Sequence, residues 1–190
     1  MQHAFSPERI ADRMMIEDLM HRWCRSVDRL DFDLMRSVFH PDATDDHGAF
    51  KGDVEGLVSW IRERHRTITF SAHRLSNMLI EFTGPDQALV ETYAEVIQRY
   101  PADGKAALAQ LSGGQQGGSG TAAVLNSYVR YVDTFERRKG EWRIATRIVV
   151  QDWKEIRDLP HDEWKPTPGW PAGRRDQDDP LYAARFRFGL

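Results

Sequence analysis

The residue with the most versatile chemistry in this sequence is His73, which lies in the alternating stretch TITFSAHRLSNMLIEF from Thr67 to Phe82. The ordinary pKa of histidine lies close to neutral pH, so its side chain can take up or release a proton there. It then acts as a general base or acid, provided that a carboxylate fixes its tautomer. A histidine that caps a strand or joins a surface ion pair is the competing interpretation.

The carboxylates that could serve His73 lie near the end of the first apolar segment, in SVDRLDFD. Asp28 lies at the edge of the apolar stripe of that segment, and Asp31 and Asp33 follow within five residues. All three fit the same role. The residues alone leave the choice among them open.

A second polar group, HPDATDDHG from His40 to Gly48, contains two histidines and three aspartates. Pro41 and Asp42 fit a helix stop, and metal ligands are usually held on rigid elements by supporting hydrogen bonds. We therefore predict no metal site here and no cofactor, although His47 could reach the mouth of a pocket. The single cysteine, Cys24, fits a small buried hydrophobic residue better than a nucleophile.

The composition places the chain among globular proteins, with 41% apolar and 29% charged residues. A net charge of -3 argues against nucleic acid as a partner, because phosphate recognition needs a basic surface. No apolar run reaches the roughly 18 residues of a membrane span, and no signal peptide is readable. One cysteine fits a reducing compartment, so we expect a cytoplasmic protein without membrane contact.

Three helices are predicted in the first third of the chain. The first runs from Ser6, its N-cap, to Leu30, and the second covers residues 31–39. Asp53 caps the third, which ends near His65 and carries the basic run RERHR on a solvated face.

The periodicity then changes from 3.6 to 2, which predicts long strands. They cover residues 72–82, 88–100, 124–138 and 142–153, preceded by a short strand or loop in ATDDHGAFKG. The glycine-rich segment 101–123 is predicted to be a flexible connection, with a lid over a pocket as the alternative. Residues 1–153 form one predicted domain. Residues 154–190 form an irregular proline-rich and charged tail across the surface or a neighbouring subunit, partly disordered at its end.

Helices followed by long antiparallel strands indicate an α+β fold, with a curved sheet wrapped around the N-terminal helices. Such a sheet encloses an apolar cavity unless side chains fill it, and small molecules bind in cavities of this kind. The abundance of Trp and Phe favours a hydrophobic, aromatic or polycyclic ligand.

The order of these features resembles the SnoaL-like branch of the nuclear transport factor 2-like superfamily. The resemblance is carried by IEDLMHRWCRSVDRLDFDLMRSVFHPDA, by SAHRLSN at the start of a strand, and by the last hairpin with FERRKGEWRI. It covers about residues 7–153. It implies a cone-shaped α+β barrel with an internal pocket.

The resemblance also implies a site. In members similar to scytalone dehydratase, bile acid dehydratase and hexachlorocyclohexane dehydrochlorinase, a His–Asp pair removes a proton inside the pocket. The matching residues in this chain are His73 and Asp28. Trp23 stands where the bile acid dehydratase-like members have a Tyr, and Gln151 stands where they have an Arg. The sequence therefore does not identify the residue that would donate a proton in the reaction.

Other residues are candidates to shape or polarise this pocket. The face of the strand that carries His73 would also present Asn77. The proposed substrate-binding set is Trp23, Asn77, Tyr93, Glu95, Tyr128 and Arg130, with Tyr131 and Arg147 as further candidates.

Two functions are consistent with the sequence. The first is a cofactor-independent lyase or isomerase, of the dehydratase type, acting on a small hydrophobic hydroxy or keto compound. The second is a non-catalytic protein that binds a ligand, or that serves as the small subunit of a ring-hydroxylating oxygenase. In either case we expect a homo-dimer or homo-trimer, because the outer sheet face needs cover.

Overall fold

A computed structural model describes residues 5–115, 117–118, 120–161 and 163–190 of the chain. Its N-terminal half holds α1 (Pro7–Arg29), α2 (Phe32–Ser37) and α3 (Val54–Arg64). Ser6, Asp31 and Asp53 each accept a backbone hydrogen bond at the start of these helices, as N-caps do. All three predicted helices are confirmed, although α2 ends before Pro41.

Six strands form one sheet: β1 (Phe39–Asp46), β2 (Lys51–Asp53), β3 (Phe70–Gly84), β4 (Gln87–Tyr100), β5 (Ala123–Arg138) and β6 (Glu141–Asp158). Their order is β2-β1-β6-β5-β4-β3. The four long strands pair antiparallel in chain order: short turns join β3 to β4 and β5 to β6, and the segment 101–122 joins β4 to β5.

The predicted α+β class and the curved sheet around N-terminal helices are confirmed, with two corrections. The sheet does not close into a barrel, since β2 and β3 form its two edges. It is also not wholly antiparallel, because β1 pairs with β6 in parallel. β1 follows the first two helices, whereas β6 is the last strand, so this pairing joins segments that are far apart in the sequence. A pairing of this range produces no local sequence pattern from which it could be predicted.

The main core lies between the concave face of the sheet and the helices. Ile16, Met20 and Trp23 of α1 are buried there against inward side chains of the strands, such as Val90 and Phe135. Their spacing of three and four residues is the apolar stripe of the helix. This packing holds the C-terminal end of α1 at one end of the sheet.

The segment between β4 and β5 is more ordered than predicted. It contains α4 (Lys105–Leu111), and Leu108 packs with Tyr100 and Leu125 in a second small core. None of the described residues of this segment lines the central cavity, so the lid interpretation gains no support.

The C-terminal tail also departs from the expected irregular chain. β6 continues five residues beyond the predicted end at Trp153, and α5 (Pro180–Arg187) follows with Asp179 as N-cap. Arg175, between these elements, is partly buried against the end of α1. No helix within the described part of the chain is long and apolar enough to cross a membrane.

Candidate active site

A cavity of about 260 Å³ lies between the helices and the concave face of the sheet. This volume lies just below the roughly 300–1,000 Å³ of typical ligand pockets, so it suits a small molecule of one or two rings. Four groups of elements contribute its walls: the end of α1, the loop after β1, the end of α3 and the inward faces of β3–β6. Its lining includes the polar or aromatic side chains of Trp23, His47, Arg64, His65, His73, Gln98, Tyr131 and Lys154.

The structure brings His73 and Asp28 together at this cavity. His73 Nδ1 lies 2.7 Å from Asp28 Oδ1, and the His73 backbone N–H donates to Asp28 Oδ2 at 2.9 Å. Ser71 Oγ donates to Asp28 Oδ1 at 2.8 Å. Alternation along β3 turns Ser71 and His73 to the same side, so both can bond to one carboxylate from the end of α1.

The charge state of Asp28 follows from these contacts. Burial opposes ionisation, but the charge of His73 and the hydrogen bonds from His73 and Ser71 outweigh it, so the pKa of Asp28 lies below its ordinary value. An ionised Asp28 can only accept, so the proton of a neutral His73 sits on Nδ1. Nε2 then carries the lone pair and is the nitrogen left for a substrate.

A second imidazole in the wall, His65, has the opposite arrangement. Arg175 Nη2 from the tail lies 2.7 Å from His65 Nδ1, and a guanidinium can only donate. The Nδ1 atom of His65 therefore accepts, and its proton sits on Nε2. Burial, helped by the charges of Arg64 and Arg175, holds the pKa of His65 well below its ordinary value, so the ring stays neutral. His65 thus offers the cavity a neutral N–H donor.

The third histidine of the wall, His47, is paired with Asp45 through Nδ1. Burial lowers the pKa of His47 despite that carboxylate, so this ring also stays neutral. Its aromatic neighbours are Trp23 and Trp60, at ring-centroid distances of 6.0 and 5.6 Å. His47 therefore lies in the cavity wall, in agreement with the expectation from the sequence that it could reach a pocket.

The apolar side of the cavity is formed by Trp23 and Tyr131, whose rings meet edge to face at 6.3 Å. The Arg147 guanidinium lies behind both rings and forms a fully buried ion pair with Asp133 at 2.6 Å. Arg147 therefore supports the wall from behind the two rings, and it is not part of the cavity lining. Burial raises the pKa of the Cys24 thiol to about 12, so Cys24 is not a nucleophile at neutral pH.

Comparison with known proteins places this architecture in a family. The sequence profile of the SnoaL-like domain matches residues 8–148, which is most of the chain. The chain belongs to the SnoaL-like domain family. The match confirms the resemblance seen in the sequence, while no curated protein matches this SnoaL-like chain significantly.

Solved structures similar to this SnoaL-like protein include a dehydrochlorinase and two proteins described as candidate enzymes. One is hexachlorocyclohexane dehydrochlorinase LinA type 3 from Novosphingobium barchaimii LL02, with a TM-score of 0.64, 17% identity, and coverage of 84% of this chain and 97% of that chain. A candidate scytalone dehydratase from Novosphingobium aromaticivorans has a TM-score of 0.61 and 16% identity, with coverage of 86% and 97%. A candidate aromatic ring hydroxylase from the same species has a TM-score of 0.62 and 20% identity, with coverage of 79% and 94%. At these identities the likeness shows the fold alone.

Four of the residues predicted to bind substrate lie together, but on the outer face of the sheet. Tyr93 and Glu95 of β4 pair in register with Arg130 and Tyr128 of β5, and all four side chains point away from the cavity. Arg130 there bonds to carboxylates of Glu91 and Asp152. The prediction that these four residues bind substrate in the pocket is therefore corrected: Ala94, Val96 and Val129 occupy the inward positions, and alternation forces their neighbours outward.

Asn77 is also exposed, for a different reason. Leu75 pairs with Ala94 and Met78 with Thr92, so β3 has one residue more than β4 between these pairs. This β-bulge reverses the alternation, and Asn77 turns outward although His73 faces in. The prediction that Asn77 shares the face of His73 is corrected by this bulge.

Sequence reasoning missed His65, Arg64 and Arg175. The run RERHR was assigned to a solvated face, and Arg62, Glu63 and Arg66 are indeed exposed. His65 is nevertheless 2% exposed, because the chain turns inward at the end of α3. His65 lies four residues after Ile61 and so continues the apolar side of α3. This spacing was the sequence signal that His65 is buried. No local pattern indicates that Arg175 returns from the tail.

Proposed function

We propose that this SnoaL-like protein is a lyase or isomerase that acts on a small hydrophobic hydroxy or keto compound. His73 is the base and Asp28 orients it. The observation that carries the proposal is the 2.7 Å bond between His73 Nδ1 and Asp28 Oδ1 at the wall of the cavity. The fold relatives described as a dehydrochlorinase and a candidate dehydratase support the same coarse class.

In a dehydration, His73 Nε2 takes a proton from the carbon next to a carbonyl group. The electron pair of that C–H bond forms an enolate and then the C=C bond, as the C–O bond to the leaving hydroxyl breaks. The imidazolium returns its proton to this hydroxyl, so water leaves and His73 is neutral again. Asp28 stabilises the imidazolium between the two steps, as a buried carboxylate does in a His–Asp pair.

In an isomerisation, the same imidazolium returns its proton to another carbon of the substrate. Both reactions pass through an enolate, which needs a hydrogen-bond donor at its oxygen. The Nε2–H of His65 is suited to this role, because a neutral imidazole keeps its N–H proton at neutral pH and can donate it in a hydrogen bond. The apolar rings of Trp23 and Tyr131 lower the local polarity. This strengthens both the stabilisation of the imidazolium by Asp28 and the hydrogen bond to the enolate oxygen.

The proposal is tested with two probes. 4-Hydroxy-4-phenylbutan-2-one loses water to give a conjugated enone, which is followed by ultraviolet absorbance, and cyclohex-3-enone isomerises to cyclohex-2-enone, which is followed by NMR. We expect His73→Gln to lower kcat by about 100-fold to 10,000-fold, which is the usual contribution of a general base. Asp28→Asn should lower kcat by at least about 100-fold, because an amide no longer stabilises the imidazolium.

Arg74→Gln is the matched control, since Arg74 follows His73 on β3 and points to solvent. It should keep the wild-type rate. Circular dichroism and thermal unfolding verify that each variant is folded. A folded His73→Gln variant with the wild-type rate contradicts the proposal. So does a wild-type protein that turns over neither these probes nor 4-hydroxy-2-oxo-4-phenylbutanoate, the keto-acid analogue of the first. Either result favours the non-catalytic ligand-binding function.

A further inference from the structure

One end of the cavity consists of hydrogen-bond donors. Arg64 and His65 lie side by side in sequence at the end of α3, and Lys154 of β6 and Gln98 of β4 complete this end. Arg64 and Lys154 have cationic side chains, and His65 presents Nε2–H because Arg175 occupies its Nδ1. We call these four residues the donor end.

The contacts among these residues leave further N–H groups for a ligand. Gln98 Oε1 accepts from Arg64 Nη2 at 3.1 Å and from Tyr100 Oη at 3.0 Å. Because both bonds use the oxygen, the amide nitrogen of Gln98 is what remains for the cavity. Arg64 Nε also has no acceptor among the described residues, although it is enclosed by protein and so is not itself open to a ligand. The donor end therefore holds more donors than its own acceptors can satisfy.

The charges of the donor end are also not balanced inside the cavity. Within the described part of the chain, no Asp or Glu side chain lines the cavity, and Arg64 forms no ion pair. Most other arginines of the described chain, such as Arg130 and Arg147, are paired with carboxylates. Two cationic side chains without an ion-pair partner in the described cavity wall favour a ligand that brings a negative charge.

We propose that the substrate carries a carboxylate, which binds Arg64, Gln98 and Lys154 at the donor end while its reacting carbon lies near His73 and His65 meets the enolate oxygen. The substrate class is then a hydroxy or keto acid with one or two rings. This inference deepens the proposed function and rests on it, since the ligand is taken to be the substrate. The enolate oxygen and the carboxylate would share the donor end, with Arg64 and Lys154 nearest the carboxylate.

The test measures binding and needs no turnover, so its failure is distinct from a failure of the proposed reaction. The probes are matched pairs of benzoate with benzamide and 2-naphthoate with 2-naphthamide, titrated by calorimetry at low salt. We expect at least one carboxylate to bind about tenfold or more tightly than its amide, because charge-assisted hydrogen bonds are the stronger ones. This preference should shrink as salt is added.

Arg64→Met should remove most of the preference, and Arg64→Lys should keep part of it, because the charge remains while the planar fork is lost. Arg62→Met is the matched control: it removes the same charge from the same helix, at an exposed position over Phe32. It should bind as the wild type does. Amides that bind as tightly as carboxylates, no carboxylate binding, or an unchanged preference in folded Arg64→Met would each overturn the proposal.

Discussion

At the scale of single residues, the partner of one ring nitrogen decides what a histidine can do. Asp28 accepts a hydrogen bond from Nδ1 of His73, so His73 presents a lone pair on Nε2. Arg175 donates to His65, so His65 presents an N–H group. The same residue type thus presents a lone pair in one wall of the cavity and an N–H donor in another.

Only part of this arrangement can be predicted from the sequence. His73 and Asp28 were identified because their positions match those of a family pair, and the structure brings them together. The burial of His65 depends on one turn of backbone after α3, and its tautomer depends on a residue 110 positions away. Contacts of that range leave no pattern in composition or periodicity.

Replacing His65 is expected to change how stability depends on pH. The unfolded chain binds a proton on this residue below about pH 6.5, whereas the folded chain resists it, because the pKa of His65 is lowered. The free energy of unfolding should therefore fall as pH drops from 7 to 5, by up to about 1.4 kcal/mol per pH unit for each such group. His65→Asn, which keeps an acceptor for Arg175, should reduce this slope in urea unfolding.

His47 contributes to the same slope, since burial lowers its pKa as well, so part of the pH dependence should remain in His65→Asn. His21 is the matched control because it is exposed on α1. His21→Asn should leave the slope unchanged. A His65→Asn variant with the slope of the wild type would contradict the inferred neutral state of His65.

At the scale of elements, the long strands are readable because alternation is repeated over many residues. The predicted strand 88–100 and the observed β4 differ by one residue at the start. What alternation does not reveal is a bulge, since one inserted residue reverses every later position. For this reason Asn77 was assigned to the wrong face while the strand itself was predicted well.

The tail is the element that sequence reasoning understated, and Arg175 is the residue that makes it structural. Arg175 donates to the carbonyl oxygens of Val27, Asp28 and Ile68 at 3.0, 3.1 and 2.7 Å. Two of these carbonyls belong to the last turn of α1, where helices leave acceptors unsatisfied. The tail therefore fixes the end of the helix that carries Asp28.

We expect Arg175→Leu to lower the free energy of unfolding by about 2–4 kcal/mol, because it leaves several buried acceptors without donors. The value of kcat should fall in the enone assay as well, since Asp28 loses its support and His65 its fixed tautomer. Burial lowers the pKa of Arg175 to about 10, so the residue stays charged across the neutral range and the effect should not depend on pH there.

Arg174→Leu is the control for this prediction. Its side chain is exposed and pairs with Asp176 and Asp178 in the tail itself. Both stability and kcat should stay near the wild-type values. If Arg175→Leu unfolds at the same urea concentration as Arg174→Leu, the tail is a passive extension of the domain.

At the scale of the whole molecule, the convex face of the sheet is the surface left uncovered by the helices. Tyr128 and Trp153 stack there at a centroid distance of 5.2 Å, and Trp153 is 56% exposed. Leu79 and Ile148 are also more than half exposed on this side. Exposed apolar groups arranged together on one face are typical of protein–protein contacts.

We therefore predict that the protein is a homo-dimer or homo-trimer in which the convex face of one copy covers that of another. Trp153→Glu should shift it to monomers in size-exclusion chromatography with light scattering, because the charge would be desolvated at the interface. Trp170→Glu, at an exposed position in the tail, should leave the oligomer intact. The cavity opens on the other side of the sheet, so monomeric Trp153→Glu should still bind the carboxylate probes. A monomeric wild-type protein, or a Trp153→Glu variant that assembles as the wild type does, would exclude the convex face as the interface.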